Sequence, residues 1–308
     1  MNSSNELAID VRGLRKRFGA LRAVNDIDLQ VKRGTIFGFL GPNGSGKTTS
    51  LRMLCGLLTP DAGQGQCLGF DVIHNADAIK RRVGYMTQKF SLYDDLTVTE
   101  NLRFVADVYQ MDNAAARIEN LLQEMGLYER RDQLAGTLSG GWKQRLALTA
   151  CQLHDPELLL LDEPTAGVDP GARRQFWEHI HRLAADGVTI LVSTHYMDEA
   201  ERCHRLAYIA YGDMLAQGTP QELVAQHGEP TWAIHGDFDA HDADALRQIA
   251  GVTQVAAFGH VLHVSAKTTA SENDIAAFCT QHQLQWAVSE PLLEDVFIRL
   301  QQAAEAMP

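Results

Sequence analysis

The sequence predicts an α/β fold with a mixed sheet, an antiparallel β-subdomain and a helical subdomain, followed by a small α+β domain of ferredoxin-like arrangement. Three observations support this fold class. Continuous apolar runs recur ahead of helical patterns, which is typical of strands in a buried parallel sheet. Short alternating segments precede these runs, and a helical stretch interrupts them. Residues 228–308 then change to a β-α-β-β-α-β order, so we expect a first domain at 1–227 and a second at 228–308.

The composition limits the classes of partner. A chain of 308 residues is long enough for two domains and a sizeable core. It has 27 Lys and Arg against 39 Asp and Glu, which gives a net charge of −12. This balance opposes sequence-independent binding to nucleic acid or to anionic lipid. We therefore expect no nucleic-acid partner.

The cysteines and the apolar runs indicate the compartment. The five cysteines are odd in number and never form C-x-x-C, so we expect the reduced, buried thiols of a cytosolic protein instead of a disulfide or zinc framework. They are Cys55, Cys67, Cys151, Cys203 and Cys279. Residues 1–6 lack the pattern of a signal peptide, and no apolar run approaches the roughly 20 residues needed to span a bilayer. We expect a chain that does not cross a membrane by itself.

The first elements are expected to be antiparallel strands. Residues 7–11 and 27–31 alternate apolar and polar side chains, as half-exposed strands do. Phe18 lies between the two segments. Its ring could stack on a nucleotide base, or it could be a core residue, and the sequence leaves both interpretations open.

A glycine-rich loop follows an apolar strand at 35–40 and precedes a helix in which Leu51, Leu54, Leu57 and Leu58 recur at helical spacing. The loop fits G-x-x-x-x-G-K-[ST], a pattern that a chain of this length meets by chance about 1% of the time. Its residues are Gly41, Pro42, Asn43, Gly44, Ser45, Gly46, Lys47, Thr48 and Thr49.

The chemistry of this loop follows from its residue types. Glycines allow consecutive backbone N–H groups to surround a phosphate, and the helix that begins near Lys47 adds the positive end of its dipole. Lys47 would reach the β and γ phosphates, and the Thr48 hydroxyl would ligate Mg²⁺. The sequence therefore predicts a nucleotide site that takes ATP and Mg²⁺.

Two polar features lie between the glycine loop and the next strands. An apolar strand at 83–87 ends at Gln88, where parallel sheets place ligand contacts. Residues 90–136 have helical spacing and form a predicted insertion with its own core. Ser139, Gly140 and Gly141 then precede a helix, with Ser139 placed as its N-cap. Their uncovered N–H groups could form a second anion site, or the segment could cap an ordinary structural helix.

Acidic and histidine side chains end two further strands. Four leucines at 158–161 predict a buried parallel strand that ends at Asp162 and Glu163. Asp162 would hold Mg²⁺ and Glu163 would polarise the attacking water, unless the two are simply solvated acids. His195 follows the apolar strand at 188–194 and would contact the γ-phosphate; the alternative is a structural histidine. A hairpin at 206–218 and a short helix at 220–226 end this domain.

In this order, the motifs resemble those of ATP-binding-cassette (ABC) transporter ATPase domains, with P-loop fold. The resemblance covers about residues 6–225, and the tail at 292–298 resembles the C-terminal extension of the drug-export group. Residues 85–93 and 138–146 resemble the YbhF-type multidrug exporters of the ABC-2 class. The corresponding motifs are Walker A at 41–49, the Q-loop Gln88, the signature at 138–144, Walker B at 158–163, the D-loop at 166–169 and the switch His195.

The resemblance implies roles for individual residues. Glu163, His195, Gln88 and Lys47 would be catalytic, and Thr48, Gln88 and Asp162 would hold the metal. ATP would contact the glycine loop, Phe18, Ser139, Gly140, Gly141 and Asp169. Two departures stand out: the fifth signature residue is Trp142 where the family usually has Gln, and Phe18 replaces the usual Tyr. The roles assigned to the signature come from Ser139 and backbone N–H groups, so we expect activity to survive.

The resemblance also implies partners. Two ATPase domains would pair head to tail, as a homodimer or with a related ATPase subunit, with each glycine loop facing the partner's Ser139 segment. Integral membrane permease subunits would dock near Gln88–Asn101, which places the chain peripherally at the cytoplasmic face of the inner (plasma) membrane. Candidate contacts are Phe90, Leu92, Tyr93 and Leu96, although these could equally be core of the insertion.

The predicted function is the ATPase of an exporter of drugs or other amphipathic substrates. An importer subunit, or an ATPase coupled to DNA repair or the ribosome, is the alternative. The second alternative conflicts with the short insertion at 90–136, the lack of a tandem ATPase domain and the negative charge.

Overall fold

The computed structural model describes residues 6–305 in two compact units, Met1–Met214 and Leu215–Pro308. Most of the segment on which the absence of a signal peptide was predicted lies outside the described residues. The division between the units falls within a strand, and the predicted domain boundary at 227/228 stays a prediction.

Ten strands form two sheets between residues 6 and 218. They are β1 (Leu7–Phe18), β2 (Leu21–Lys32), β3 (Ile36–Leu40), β4 (Ala62–Cys67), β5 (Phe70–Asp71), β6 (Val83–Met86), β7 (Leu158–Asp162), β8 (Thr189–Thr194), β9 (Arg205–Ala210) and β10 (Asp213–Gly218). The first sheet has the order β2-β1-β4-β5 and is antiparallel, as predicted. β1 and β2 are longer than the alternating segments that predicted them.

The second sheet has the order β10-β9-β3-β8-β7-β6. Its strands β6, β7, β8, β3 and β9 pair in parallel. Every residue of β3, β7 and β8 is buried, which explains their continuous apolar sequences. The carboxyl ends of these three strands therefore lie side by side, at residues 40, 162 and 194.

The described part of the first unit, residues 6–214, contains seven α-helices: α1 (Lys47–Leu54), α2 (Ala76–Lys80), α3 (Val98–Val108), α4 (Ala114–Glu124), α5 (Gly140–Gln152), α6 (Pro170–Ala185) and α7 (Met197–Ala200). α3 and α4 confirm the helical insertion. α1 is shorter than its apolar spacing suggested, because Gly56 takes a positive φ of 74° after the helix and leaves Leu57 exposed. A core joins β1 and β2 to β3, α1 and β7, beneath the glycine loop.

The second unit continues with α8 (Pro220–His227), β11 (Thr231–His235), α9 (Ala240–Arg247), β12 (Val252–Phe258), β13 (Val261–Ala266), α10 (Glu272–Gln281), β14 (Gln285–Ser289) and α11 (Leu293–Glu305). Its sheet is antiparallel with the order β12-β13-β11-β14. The predicted β-α-β-β-α-β order is present, while the ferredoxin-like classification stays a prediction. Trp232, Val264 and Ile275 are central to a separate core.

Two expectations from composition can be compared with the structure. All five cysteines are free; Cys151 is half-buried and the other four are buried, as predicted. Burial raises the pKa of the Cys55 and Cys279 thiols to about 11. Across residues 6–305 the structure contains no helix whose length and hydropathy suit a bilayer span.

Candidate functional site

The glycine loop leads from β3 into α1 through a conformation that requires glycine. A Cβ on Gly41 would lie 2.0 Å from the Ile209 carbonyl oxygen. Gly46 is the N-cap of α1 with a φ of 105°, and its Cβ would lie 2.4 Å from the Ala23 carbonyl oxygen. No side chain caps α1, so its first N–H groups remain available to an anion.

Lys47 and Ser45 give this loop the polarity that a phosphate needs. Lys47 is 4% exposed; its Nζ donates to the carbonyl oxygens of Gly41 (2.8 Å) and Pro42 (3.0 Å). Burial lowers the pKa of Lys47, and the nearby Glu163 and Asp162 charges oppose that shift. The Ser45 hydroxyl is buried without a hydrogen-bond partner, and a phosphate oxygen would supply one.

Glu163 lies at the centre of a cluster in which Glu163 and Lys47 are buried while Gln88 and His195 are exposed. Its Oε1 is 3.4 Å from Lys47 Nζ. Its Oε2 accepts a hydrogen bond from Gln88 Nε2 (3.0 Å) and lies 3.2 Å from His195 Nδ1. The structure therefore brings together the four residues predicted to be catalytic. At 7% exposure Glu163 is not a solvated acid, which excludes that alternative.

The backbone turns sharply at Glu163, and Ser193 holds it there. Glu163 has a φ of 47°, a conformation that costs an ordinary residue on the order of 1–3 kcal/mol. Its N–H donates to both the carbonyl oxygen (3.2 Å) and the Oγ (3.0 Å) of Ser193. This turn directs the carboxylate away from the strand and towards Lys47, Gln88 and His195.

Asp162 is the candidate metal ligand. It is buried, and its Oδ1 accepts a hydrogen bond from Ser193 Oγ (2.7 Å). The Tyr85 hydroxyl lies 3.5 Å from Oδ2, and burial raises the pKa of Tyr85 to about 12. Within residues 6–305 no group of three or more His, Cys, Asp or Glu could enclose a metal. One carboxylate, the Thr48 hydroxyl and the Gln88 amide suit Mg²⁺ that takes its remaining ligands from phosphate and water.

Phe18 lies at the end of β1 and is 51% exposed, so it is not a core residue. The Lys16 Nζ is 5.9 Å from the centroid of its ring. An exposed aromatic face beside a cation is compatible with base stacking, which stays a prediction.

The Ser139 segment differs in one respect from expectation. Ser139 is the N-cap of α5, but its side chain makes no capping hydrogen bond. Its hydroxyl is therefore left free to bind another group. Within residues 6–305 no hydrogen bond or ion pair links Ser139–Gly141 to the Glu163 cluster.

Asp169 lies next to this segment. It is the N-cap of α6, and its Oδ1 accepts a hydrogen bond from the Ala172 N–H (3.0 Å). A Cβ on Gly141 would lie 2.8 Å from the Ala172 Cβ and 3.8 Å from Asp169 Oδ2. The two motifs are thus neighbours, and the close approach requires glycine at 141.

Sequence reasoning missed several residues that hold this site. Ser193 hydrogen-bonds to the Asp162 carboxylate and to the Glu163 N–H. The only sign of this role in the sequence is that Ser193 is a polar residue near the end of an apolar strand. Trp142 was noted only as a departure from the usual motif. Its ring lies between the guanidinium groups of Arg130 (4.5 Å to the centroid) and Arg145 (4.7 Å), which ties the start of α5 to the helical insertion.

Comparison with known proteins agrees with this geometry. The model of the ABC transporter family matches residues 24–166. The chain is 46% identical over 223 residues to the probable multidrug ABC transporter ATP-binding protein YbhF of Escherichia coli K12; the match covers 72% of this chain but only 39% of that protein. It is 38% identical over 305 residues to the Nod factor export ATP-binding protein I of Ralstonia nicotianae, covering 95% of this chain and 93% of that one.

A solved structure supports the same assignment. The dimeric structure of an ATP-binding cassette in a post-hydrolysis state, bound to ADP and Pi, superposes with a TM-score of 0.63 at 25% identity. The superposition covers 68% of this chain and 98% of that one. One relative is matched over nearly its full length, and the family model matches as well. Glu163 contacts Lys47, Gln88 and His195 in the arrangement described above. The chain therefore belongs to the ATP-binding subunits of the ABC transporter family.

Proposed function

We propose that this chain is the ATP-hydrolysing subunit of an ABC exporter that drives drugs or other amphipathic substrates through separate membrane subunits. The observation that carries the proposal is the contact of one buried carboxylate, Glu163, with Lys47, Gln88 and His195. A phosphate-binding cation, a candidate base and a candidate γ-phosphate contact thus meet at a single carboxylate, with His195 and Gln88 on the exposed side of the site.

Each of these residues has a different role in the proposed reaction. The glycine loop and Lys47 bind the β and γ phosphates, and His195 holds the γ-phosphate. Glu163 orients and polarises the attacking water, because its carboxylate is fixed by Ser193 and Gln88. Thr48, Asp162 and Gln88 would hold Mg²⁺, which would neutralise phosphate charge. Positioning and charge neutralisation account for most of the catalysis.

The proposed assembly is a head-to-tail pair, either a homodimer or a pair with a related ATPase subunit. The Ser139 hydroxyl does not cap its own helix, and among residues 6–305 no hydrogen bond links it to its own Glu163 cluster, so a partner's γ-phosphate is a suitable ligand for it. Asp169, beside Gly141, would lie at the same junction. The structure of the related cassette with ADP and Pi is dimeric, which supports pairing of this kind.

Membrane permease subunits are proposed to dock near Gln88–Asn101. Tyr93 is 50% exposed and packs edge to face on the half-exposed Phe104, at 5.1 Å between ring centroids. Asn101 is buried and donates to the carbonyl oxygens of Tyr93, Leu96 and Thr97, which keeps this surface rigid. Phe90, Leu92 and Leu96 are half-buried, so Tyr93 is the strongest contact candidate.

A separate cleft is lined by residues that follow α1 and by the end of α3. It measures about 650 Å³ and includes Leu57, Val108 and Tyr109 in its lining. Leu57 and Val108 are exposed apolar side chains, which commonly mark a protein contact. Docking here would hold the chain peripherally at the cytoplasmic face of the inner membrane.

The relatives' names favour export over the alternatives. One is a probable multidrug transporter component and another a Nod factor export component. An importer subunit has the same site and would differ in its membrane partner. Neither of these two relatives is named for DNA repair or for the ribosome, so coupling to those partners is not favoured.

The proposal is tested with the full chain purified together with its membrane subunits. We expect ATP-dependent release of phosphate, stimulated by transported compounds. Glu163→Gln should retain MgATP, reduce turnover by about 10³-fold or more and accumulate an ATP-bound dimer, because the base is lost while the binding groups remain. Glu201→Gln, at an exposed position, is the matched control. Near-normal hydrolysis by Glu163→Gln would overturn the assignment.

A further inference from the structure

A second buried carboxylate, Glu199, lies behind the site and has no role in the reaction described above. It is 1% exposed and belongs to α7, which follows His195. Burying a charged carboxylate is costly unless hydrogen bonds or cations compensate for the lost water. Its partners therefore indicate what it does.

Glu199 joins two segments that carry catalytic residues. Its Oε2 accepts a hydrogen bond from Thr194 Oγ1 (2.7 Å), the residue directly before His195. Its Oε1 accepts one from Thr165 Oγ1, two residues after Glu163. Both threonines are buried. The carboxylate thus connects the start of the His195 segment to the turn that follows Glu163.

Arg173 adds a third connection. It lies in the first turn of α6, and its backbone N–H donates to the Asp169 carbonyl oxygen (2.9 Å). Its Nε is 3.6 Å from Glu199 Oε1, and its guanidinium stacks 4.3 Å from the centroid of the Tyr196 ring. The Tyr196 ring in turn lies 4.1 Å from the His195 ring.

His195 depends on this support more than Glu163 does. Glu163 is held independently by Ser193, Gln88 and Lys47. For His195, the polar and ring contacts found in the described part of the chain are the one with Glu163 and the one with the Tyr196 ring. The position of its ring is therefore set by the backbone at Thr194 and by Tyr196.

We propose that Glu199 is a positioning residue that holds His195 at the correct place relative to Glu163, through Thr194, Thr165 and Arg173. This inference rests on the proposed ATP hydrolysis and deepens it. Because Arg173 is bonded to Asp169, the same carboxylate connects His195 to the segment expected to face the second subunit.

The test compares Glu199→Gln with Glu201→Gln in the full chain, by phosphate release over a range of ATP concentrations. The Gln side chain keeps the size of Glu199 but offers only one acceptor oxygen and no charge to Arg173. We expect kcat to fall about 10- to 100-fold with KM for ATP nearly unchanged, because misplacement of a catalytic group affects the chemical step. The exposed Glu201 variant should match the wild type.

A double-mutant cycle separates positioning from general damage. In a His195→Ala background, Glu199→Gln should lower kcat by less than about twofold, since the group it positions is gone. A full additional loss in that background would overturn the proposal, as would wild-type kcat for Glu199→Gln.

A second pair of variants covers the case in which Glu199→Gln does not fold. Thr165→Val has the same shape without the hydroxyl and should lower kcat in the same direction, whereas Thr165→Ser should retain activity. Equal rates for the two Thr165 variants would count against the proposal. If the wild-type complex releases no phosphate, and Glu163→Gln is indistinguishable from it, the proposed function itself is overturned.

Discussion

The contacts and burial of Lys47 are the clearest indication that the site binds phosphate. An ammonium group in a buried position loses much of its hydration, and burial accordingly lowers the pKa of Lys47. Two carbonyl oxygens and the Glu163 carboxylate compensate for that loss. The amine of Lys47 thus faces carbonyl oxygens and a carboxylate, and a nucleotide phosphate would add a further anionic partner.

Removing this charge should abolish tight nucleotide binding. We expect Lys47→Ala to weaken ATP affinity at least about 100-fold, because a charge-assisted contact to phosphate is lost and Glu163 is left without its cation. Calorimetric titration with MgATP measures the effect. Lys80→Ala, an exposed lysine, is the control. Unchanged affinity in Lys47→Ala would contradict the role of the glycine loop.

His179 provides a separate prediction about stability and pH. It is buried on α6 near Gln152 Oε1 (3.2 Å), and burial lowers its pKa from 6.5 to about 4. Between these values the unfolded chain binds a proton at His179 that the folded chain does not. Stability should therefore fall with decreasing pH, by about 1.4 kcal/mol per pH unit from this residue alone.

The measurement is urea unfolding at pH 7 and pH 5. His179→Gln lacks the titrating group, so its free energy of unfolding should change less between the two pH values than that of the wild type. An identical change in both proteins would show that His179 does not contribute.

At the scale of elements, the start of α5 is held by a stacked arrangement. Trp142 lies between Arg130 and Arg145, and Arg145 also donates to the Met125 carbonyl oxygen (3.0 Å) and to Gln175 Oε1 (2.6 Å). These contacts connect α5 to the end of α4 and to α6. The helix that carries the signature segment is thus held by contacts with several neighbouring elements.

Trp142→Ala should destabilise the protein by about 1–3 kcal/mol, because two cation–π contacts and their apolar packing are lost. Trp142→Phe keeps an aromatic face and should lose less than half of that. Denaturant unfolding monitored by far-UV circular dichroism measures both variants. Equal stability of Trp142→Ala and the wild type would mean that the stacking contributes nothing.

At the scale of the whole molecule, the second unit has its own sheet and its own core. A pair of buried groups, His263 Nδ1 and Asp295 Oδ2, lies 3.0 Å apart and connects β13 to α11. α8 and α11 also contact each other within this unit, and Arg299 bonds to the His227 carbonyl oxygen. None of the residues assigned to ATP lies in it.

A chain that lacks residues 228–308 should therefore bind MgATP with an affinity within about threefold of the full chain. This deletion removes α11 and so exposes the surface of α8 that α11 covers. A second truncation, after residue 219, removes α8 as well and is the control for that exposed surface. Calorimetric titration of both, after circular dichroism confirms folding, is the measurement. Loss of ATP binding in a folded truncation would assign a nucleotide role to the second unit.

The sequence by itself determined the local features of this protein. These features are the glycine loop, the apolar strands β3, β7 and β8, and the polar residue at the end of each strand. They can be predicted from the sequence because each depends on a motif or an apolar pattern only a few residues long. Their order along the chain was enough to indicate the family.

Tertiary structure decided which distant side chains meet. The parallel register places Asp162 opposite Ser193. Because of this pairing, Ser193 can hydrogen-bond to the Asp162 carboxylate and to the Glu163 N–H, at the left-handed turn. The exposure of Phe18 and the link through Glu199 likewise depend on packing between segments far apart in the chain. No local pattern contains this information, since register and burial are set only when the strands pair.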